Sequence, residues 1–313
     1  MKFNAICCIN VLRTFIQHSN DLMNRSQRRQ VKEATYDKLN KLDQPAISRY
    51  ELAFIIYEQT LRIANESLIH TEYKKIIDSA SIKTLLSNHN NQHAYFYLFG
   101  RSKASIYDII CSLEPFCFIS HLSAMEYHGL TNRLPKLVFL TSPPPKRWKE
   151  LAEIKMKKDY KSLEIIADGG LPELARIQPK TLSTYTLKWY HSLQQGFFKS
   201  IQGRPLRVST IGQTYLDMVK KPDFCGGIRH VIEVFQEHGK THLPLILHTV
   251  DTHGTQIAKI RTGYILSEIC NLKDRTIDKW QEEEVQRGGS RKLDAANEYS
   301  SQYSERWCLS INI

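Results

Sequence analysis

No pair of cysteines in this chain has the C-x-x-C spacing, although seven are present, at Cys7, Cys8, Cys111, Cys117, Cys225, Cys270 and Cys308. An odd, scattered set excludes a zinc ribbon and a disulfide framework and suits the reduced thiols of a cytosol. Long apolar runs are missing too. The stretch from Ala5 to Leu12 is interrupted by Asn10, preceded by the single charge Lys2, and has no small-residue cleavage site. It is too short to span a bilayer and does not read as a secretory leader, so the expectation is a cytoplasmic protein with no membrane partner. There is no G-x-S-x-G elbow, no G-x-x-x-x-G-K-[ST] phosphate loop, no G-x-G-x-x-G fingerprint and no H-E-x-x-H pair.

Histidines and acids give no substitute for these motifs. His89 and His93 stand four apart, but Asn90 and Asn91 between them favour a turn over a helix. His121 and His128 flank one short apolar segment and read as caps or core residues. Asp217, Asp223 and Glu233 are the nearest approach to the acidic cluster a nuclease needs to hold its metal, yet their spacing matches no metal motif. Glu282-Glu283-Glu284 reads as a solvated helix face. No catalytic residue, metal or cofactor is assigned, and the chain reads as a non-enzyme.

What is present is a globular composition, 42% hydrophobic and 24% charged over 313 residues, with a net charge of +11. The length suits two domains, and the basic excess favours a polyanionic partner. The expected architecture is α+β: an N-terminal winged helix-turn-helix followed by a larger mixed α/β domain. Residues 1–43 form a basic extension, 44–115 the winged helix and 116–313 the C-terminal domain. In the extension Arg25, Arg28, Arg29, Lys32, Lys38 and Lys41 outnumber the acids, which suits a solvated helix or ragged start better than a DNA-gripping arm.

The winged helix is read from local signals. Ser48-Arg49-Tyr50-Glu51 is a capping box, and the apolar steps Tyr50, Phe54, Tyr57 and Leu61 continue it as a helix. A second helix spans Thr71 to Ile77. After the polar turn Asp78-Ser79-Ala80, a third points Ile82, Leu85 and Leu86 inward. His93 to Phe99 alternates at strand period as the wing. The outward residues Ser81, Lys83, Thr84, Ser87 and Asn88, with His93, Arg101 and Lys103 from the wing, are the candidate DNA contacts: hydroxyls and amides for bases, cations for phosphates. From Met1 to Pro115 there are 15 basic and 11 acidic residues, a mild excess that makes a dimer on DNA, or two copies on a repeated operator, the natural arrangement.

Beyond Pro115, strands are expected at Phe116–Ile119, Leu137–Thr141, Tyr185–Tyr190 and Arg204–Val208, with a helix over Ser123–His128. Pro143-Pro144-Pro145 begins a loop, and a basic stretch follows it from Lys146 to Lys161. A second capping box, Thr210-Ile211-Gly212-Gln213, opens a helix ending near Pro222. Gly226-Gly227 starts another that Gly239 stops. Arg287, Arg291 and Lys292 flank Gly288-Gly289, either as a contact for a partner carboxylate or anion or as a plain turn before the last strand.

The segment Phe118-Ile119-Ser120-His121-Leu122-Ser123-Ala124-Met125-Glu126-Tyr127-His128-Gly129-Leu130 resembles the S-x-x-S-A-x-x-x-H-G-L stretch of AbiEi-type antitoxins. Arg207-Val208-Ser209 through Leu216-Asp217, then Pro222 and Gly226-Gly227, is similar to a second segment of that family. Arg287 to Asp294 and Trp307 to Asn312 resemble the tail of its longer members. The resemblance runs from about Ala46 to the C-terminus. It implies an antitoxin of a two-gene bacterial abortive-infection (phage defence) module, repressing its own promoter through the winged helix. The C-terminal domain would counteract a nucleotidyltransferase-type toxin, by contact or without it. The alternative reading is a nuclease or nucleotidyl-modifying enzyme that uses the winged helix to find DNA.

Overall fold

Asn24 opens a helix by accepting the Gln27 N–H at 2.9 Å, while the Gln27 side chain accepts the Asn24 N–H at 3.0 Å. Two of the orphan donors of a helix start are thereby satisfied reciprocally. The computed structural model describes residues 23–87, 95–101, 104–133, 137–194, 196–285 and 291–313. They fold as two compact units. One is built from the described residues up to Leu113 together with Lys149–Ile177, the other from Glu114–Trp148 and the residues from Gln178 onward. Together they make a two-part α+β architecture, an N-terminal helical cluster and a larger mixed α/β part.

In the first unit the order is α1 (Arg25–Asn40), β1 (Ala46–Ser48), α2 (Arg49–Ala64), α3 (His70–Ile77), α4 (Ala80–Leu85), β2 (Leu86–Ser87), β3 (Tyr95–Leu98) and α5 (Ile106–Leu113). β3 lies between β1 and β2 and is antiparallel to both, pairing Ala46 with Tyr97 and Leu86 with Leu98. Of the basic lead-in, the part up to residue 22 lies outside the described residues, and the rest contains the packed helix α1. Val31, Thr35 and Leu39 recur every four residues along α1 and are all buried, and α1 packs against α2 and α4.

A charged contact fixes that docking. Glu72 of α3 is 1% exposed and receives Arg28 of α1 through two N–H groups, at 2.7 and 2.9 Å, and Lys75 at 2.9 Å. A carboxylate this far from water is tolerable only because both oxygens are occupied by cations.

Ser48 caps α2 as its sequence implies, accepting the Glu51 N–H at 3.1 Å. The Glu51 carboxylate, however, accepts Gln44 instead of closing the box. The third helix is shorter than expected: α4 ends at Leu85, Leu86 opens β2, and Ile82 alone of the three inward residues is fully buried. A six-residue helix with one buried anchor depends on its neighbours for position.

The chain returns to this unit in mid-sequence. The basic stretch, to which the sequence reading assigns no element, lies almost wholly in α7 (Pro145–Tyr160), which belongs to this unit from Lys149 on and is followed by α8 (Leu163–Gly169). Trp148, Ala152, Met156 and Tyr160 recur at four-residue steps and are buried. In the first unit Tyr160 meets the rings of Tyr50, Phe54 and Tyr57 at centroid distances of 5.9, 5.2 and 4.8 Å. The Tyr50 hydroxyl donates to Asp159 at 2.7 Å. Gly169 permits the close approach of α8, since a Cβ there would sit 2.7 Å from the Leu68 carbonyl oxygen.

The second unit centres on a six-stranded mixed sheet ordered β6-β7-β5-β4-β9-β8. Its strands are β4 (Phe118–Ile119), β5 (Leu137–Ser142), β6 (Thr181–Leu182), β7 (Tyr185–His191), β8 (Phe198–Ser200) and β9 (Arg207–Ser209). The helices are α6 (His121–Tyr127), α9 (Ile211–Lys220), α10 (Ile228–His253), α11 (Gln256–Tyr264) and α12 (Arg275–Glu284). A small C-terminal sheet adds β10 (Arg291–Lys292), β11 (Tyr303–Ser304) and β12 (Leu309–Ser310). Gly239 does not stop α10, which runs on through Pro244 because Ile246, Leu247 and Val250 bury their side chains beyond it. That burial offsets the lost proline donor. Among the described residues no helix is long and apolar enough to cross a membrane.

Two substitutions test this packing. Glu72→Gln strands the Arg28 charge and should lower unfolding free energy by about 3–5 kcal/mol in a urea titration; a loss below about 1 kcal/mol would contradict the buried pairing. The Tyr160 hydroxyl is buried without a hydrogen-bond partner. Tyr160→Phe should therefore be neutral or stabilising, whereas Tyr160→Ala should cost about 3–5 kcal/mol.

Candidate nucleic-acid interface

Only two residues separate α3 from α4, so the outer side of α4 stands clear of its own supporting helix. Ser81, Lys83 and Thr84 are exposed there. They are not equally available. The Lys83 ammonium lies 3.0 Å from Asp78, both side chains being about three-fifths exposed, and the Thr84 hydroxyl donates to the Ser81 carbonyl at 2.8 Å. The ion pair is weak because water screens it. Asp78 is the neighbour that the sequence reading overlooked: a turn residue five positions before Lys83, brought beside it by the bend between α3 and α4.

Ser87 lies in β2, where its backbone pairs with Tyr97; its side chain, with Asn88, His93 and Lys103, lies outside the described residues. Arg101 is held inward. Its guanidinium donates to the carbonyls of Gln44 at 2.7 Å and Asn40 at 3.0 Å, closing the end of α1. The structure thus groups Ser81, Lys83 and Thr84 on one helix and gives Arg101 a capping duty.

In the second unit Arg287 lies outside the described residues, while Arg291 and Lys292 form β10, paired with Leu309 and Ser310. The Lys292 ammonium sits 5.1 Å from the centre of the Tyr299 ring, and its carbonyl accepts Arg261 at 2.9 Å. Lys292 is therefore tied into the C-terminal sheet.

The two longer stretches carrying the family resemblance meet in one polar network. β4 and β9 pair in parallel through Ile119 and Val208. Arg207 donates to the carbonyls of Cys117 at 2.7 Å and Glu114 at 2.6 Å. The neutral His128 ring donates through Nε2 to the Ser209 carbonyl at 2.7 Å. Thr141 donates to Ser120, and Ser120 to Nδ1 of His121, each at 2.8 Å. The His121 backbone is left-handed, φ 49°, and its ring packs among Phe139, Tyr190 and Phe224. Burial, with Lys221 as the smaller cause, pushes His121 down to about 3, so it is neutral at any ordinary pH.

Asp217 stands at the end of this network. It accepts Gln213 at 2.8 Å, Ser209 at 3.4 Å and the His121 backbone N–H. Burial pushes its carboxyl up to about 7 despite those donors. Gly226 and Gly227 both have positive φ, 88° and 92°, at the turn into α10, a conformation that disfavours a side chain. Asp223 is exposed, and Glu233 faces His230 at 3.2 Å. Among the described residues no three His, Cys, Asp or Glu gather where they could hold a metal ion.

Because folded Asp217 binds its proton more tightly than the unfolded chain, the stability it lends at low pH is lost as pH climbs from about 4 through 7. Asp217→Asn should therefore gain on the parent in unfolding free energy across that window, with a flat difference below it. The His121 titration is common to both chains and cancels. Parallel pH–stability curves would show that Asp217 ionises normally in the fold.

No family model and no curated protein matches the chain. Among solved structures it is similar to the crystal structure of RV2827C protein from Mycobacterium tuberculosis, with TM-score 0.47 and 10% identity over 89% of this chain and 90% of that one.

Proposed function

We propose that the first unit is a winged helix-turn-helix that binds promoter DNA, and that the protein is the antitoxin and autorepressor of a two-gene abortive-infection module. In this reading α3 and α4 form the helix-turn-helix, α4 enters the major groove, and β2 and β3 begin the wing. The observation that carries it is the exposed ridge Ser81, Lys83 and Thr84 on a short helix anchored by Ile82, beside an antiparallel sheet ordered β1-β3-β2. A ridge of hydroxyls with one cation suits base edges and a phosphate. The second unit counteracts a nucleotidyltransferase-type toxin in the cytoplasm, a role resting on the family resemblance of its β4–α6 and β9–α9 segments. Repression acts through a dimer, or through two copies on a repeated operator.

Mobility shifts with the chain's own promoter duplex test the DNA half. Lys83→Glu should weaken binding about tenfold or more at low salt, with the gap closing as salt rises. Asp78→Asn releases Lys83 from its ion pair and should move affinity the other way. Equal affinities for all three proteins would remove α4 from the interface. Lys83→Glu should still rescue cells expressing the cognate toxin, because neutralisation belongs to the second unit; loss of rescue at normal protein levels would contradict that division.

A further inference from the structure

Three cations of α1 fall on one flank of the helix. At 100° per residue Arg25, Arg29 and Lys32 lie within a sector of about 60°, spread over about 10.5 Å of helix axis. Arg25 and Arg29 are exposed and Lys32 is half-buried. The sector borders the buried seam of Val31, Thr35 and Leu39, by which α1 docks, and α4 is one of the helices it packs against. No acid occupies the first turn of α1. Arg29 pairs with Glu33 at 2.8 Å, so exposed that the pair holds the charge weakly. Arg28, next in sequence, is turned inward and locked to Glu72, which keeps the helix from rolling. Arg25, in the first turn of α1, opposes the positive end of the helix dipole, an arrangement that an anion would relieve.

We infer that Arg25, Arg29 and Lys32 form a phosphate-binding ledge that grips the backbone of the duplex whose groove α4 enters. This rests on the winged-helix reading and extends it to a second contact. The ledge supplies affinity without sequence preference, because phosphates carry no base identity.

The test is the salt dependence of binding by the full chain to two probes, its own promoter duplex and a random-sequence duplex. The variant Arg25→Ala/Arg29→Ala/Lys32→Ala should lose the same factor on both. Its plot of log K against log salt should flatten by about 0.9 for each phosphate contact removed. Lys38→Ala, which removes a charge from another side of α1, should leave the slope unchanged, separating the ledge from bulk charge. Melting curves check that each variant is folded. If the triple variant keeps the parental slope while Lys83→Glu loses affinity, the ledge is wrong and the winged helix stands. If the parent binds neither duplex, both fall together.

Discussion

The first unit depends on one buried carboxylate. Glu72 sits between Arg28 and Lys75 with almost no access to water, and in a medium of low polarity such a charge is stable only while its partners stay in place. It therefore acts as a register pin: α1 cannot slide or turn on α3 without exposing an uncompensated charge. α4 follows two residues after α3 and has a single fully buried side chain, so its orientation is inherited from this contact and from the three-stranded sheet beyond it. The proposed reading head is held by its neighbours more than by its own packing.

The second unit uses polar contacts differently. There the network from Thr141 through Ser120, His121 and Asp217 to Gln213 and Ser209 ties two sequence-distant stretches across β4 and β9. Its members are mostly buried and bonded to one another, and His121 carries a left-handed backbone that the surrounding aromatic rings hold. These Ser, His and Asp side chains hold a strand–helix corner together.

Local signals in the sequence translated well where they were self-contained. The caps at Ser48 and Thr210 both accept the N–H three residues on, and the strands at Leu137 and Tyr185 lie where alternation and apolar runs put them. What was hidden depended on distant contacts. The steps Trp148, Ala152, Met156 and Tyr160 were masked by the lysines between them, and nothing local says that Tyr160 completes an aromatic cluster with Tyr50, Phe54 and Tyr57. Val31, Thr35 and Leu39 were masked in the same way by the cations of α1. Gly239 misled because a helix breaker's cost of about 1 kcal/mol is outweighed when the next turns bury large side chains. Of the candidate DNA contacts, Ser81, Lys83 and Thr84 are exposed as the 3.6-residue period requires, while the inward commitment of Arg101 follows from the end of α1.

Hydrogen exchange on the full chain, with and without its promoter duplex, reads the central claim most directly. A helix of six residues with one buried anchor exchanges quickly on its own, so the amides of Ala80–Leu85 should slow markedly when the duplex is added. Unchanged exchange across Ala80–Leu85 under conditions where the duplex is fully bound would show that DNA, if held at all, is held by another surface.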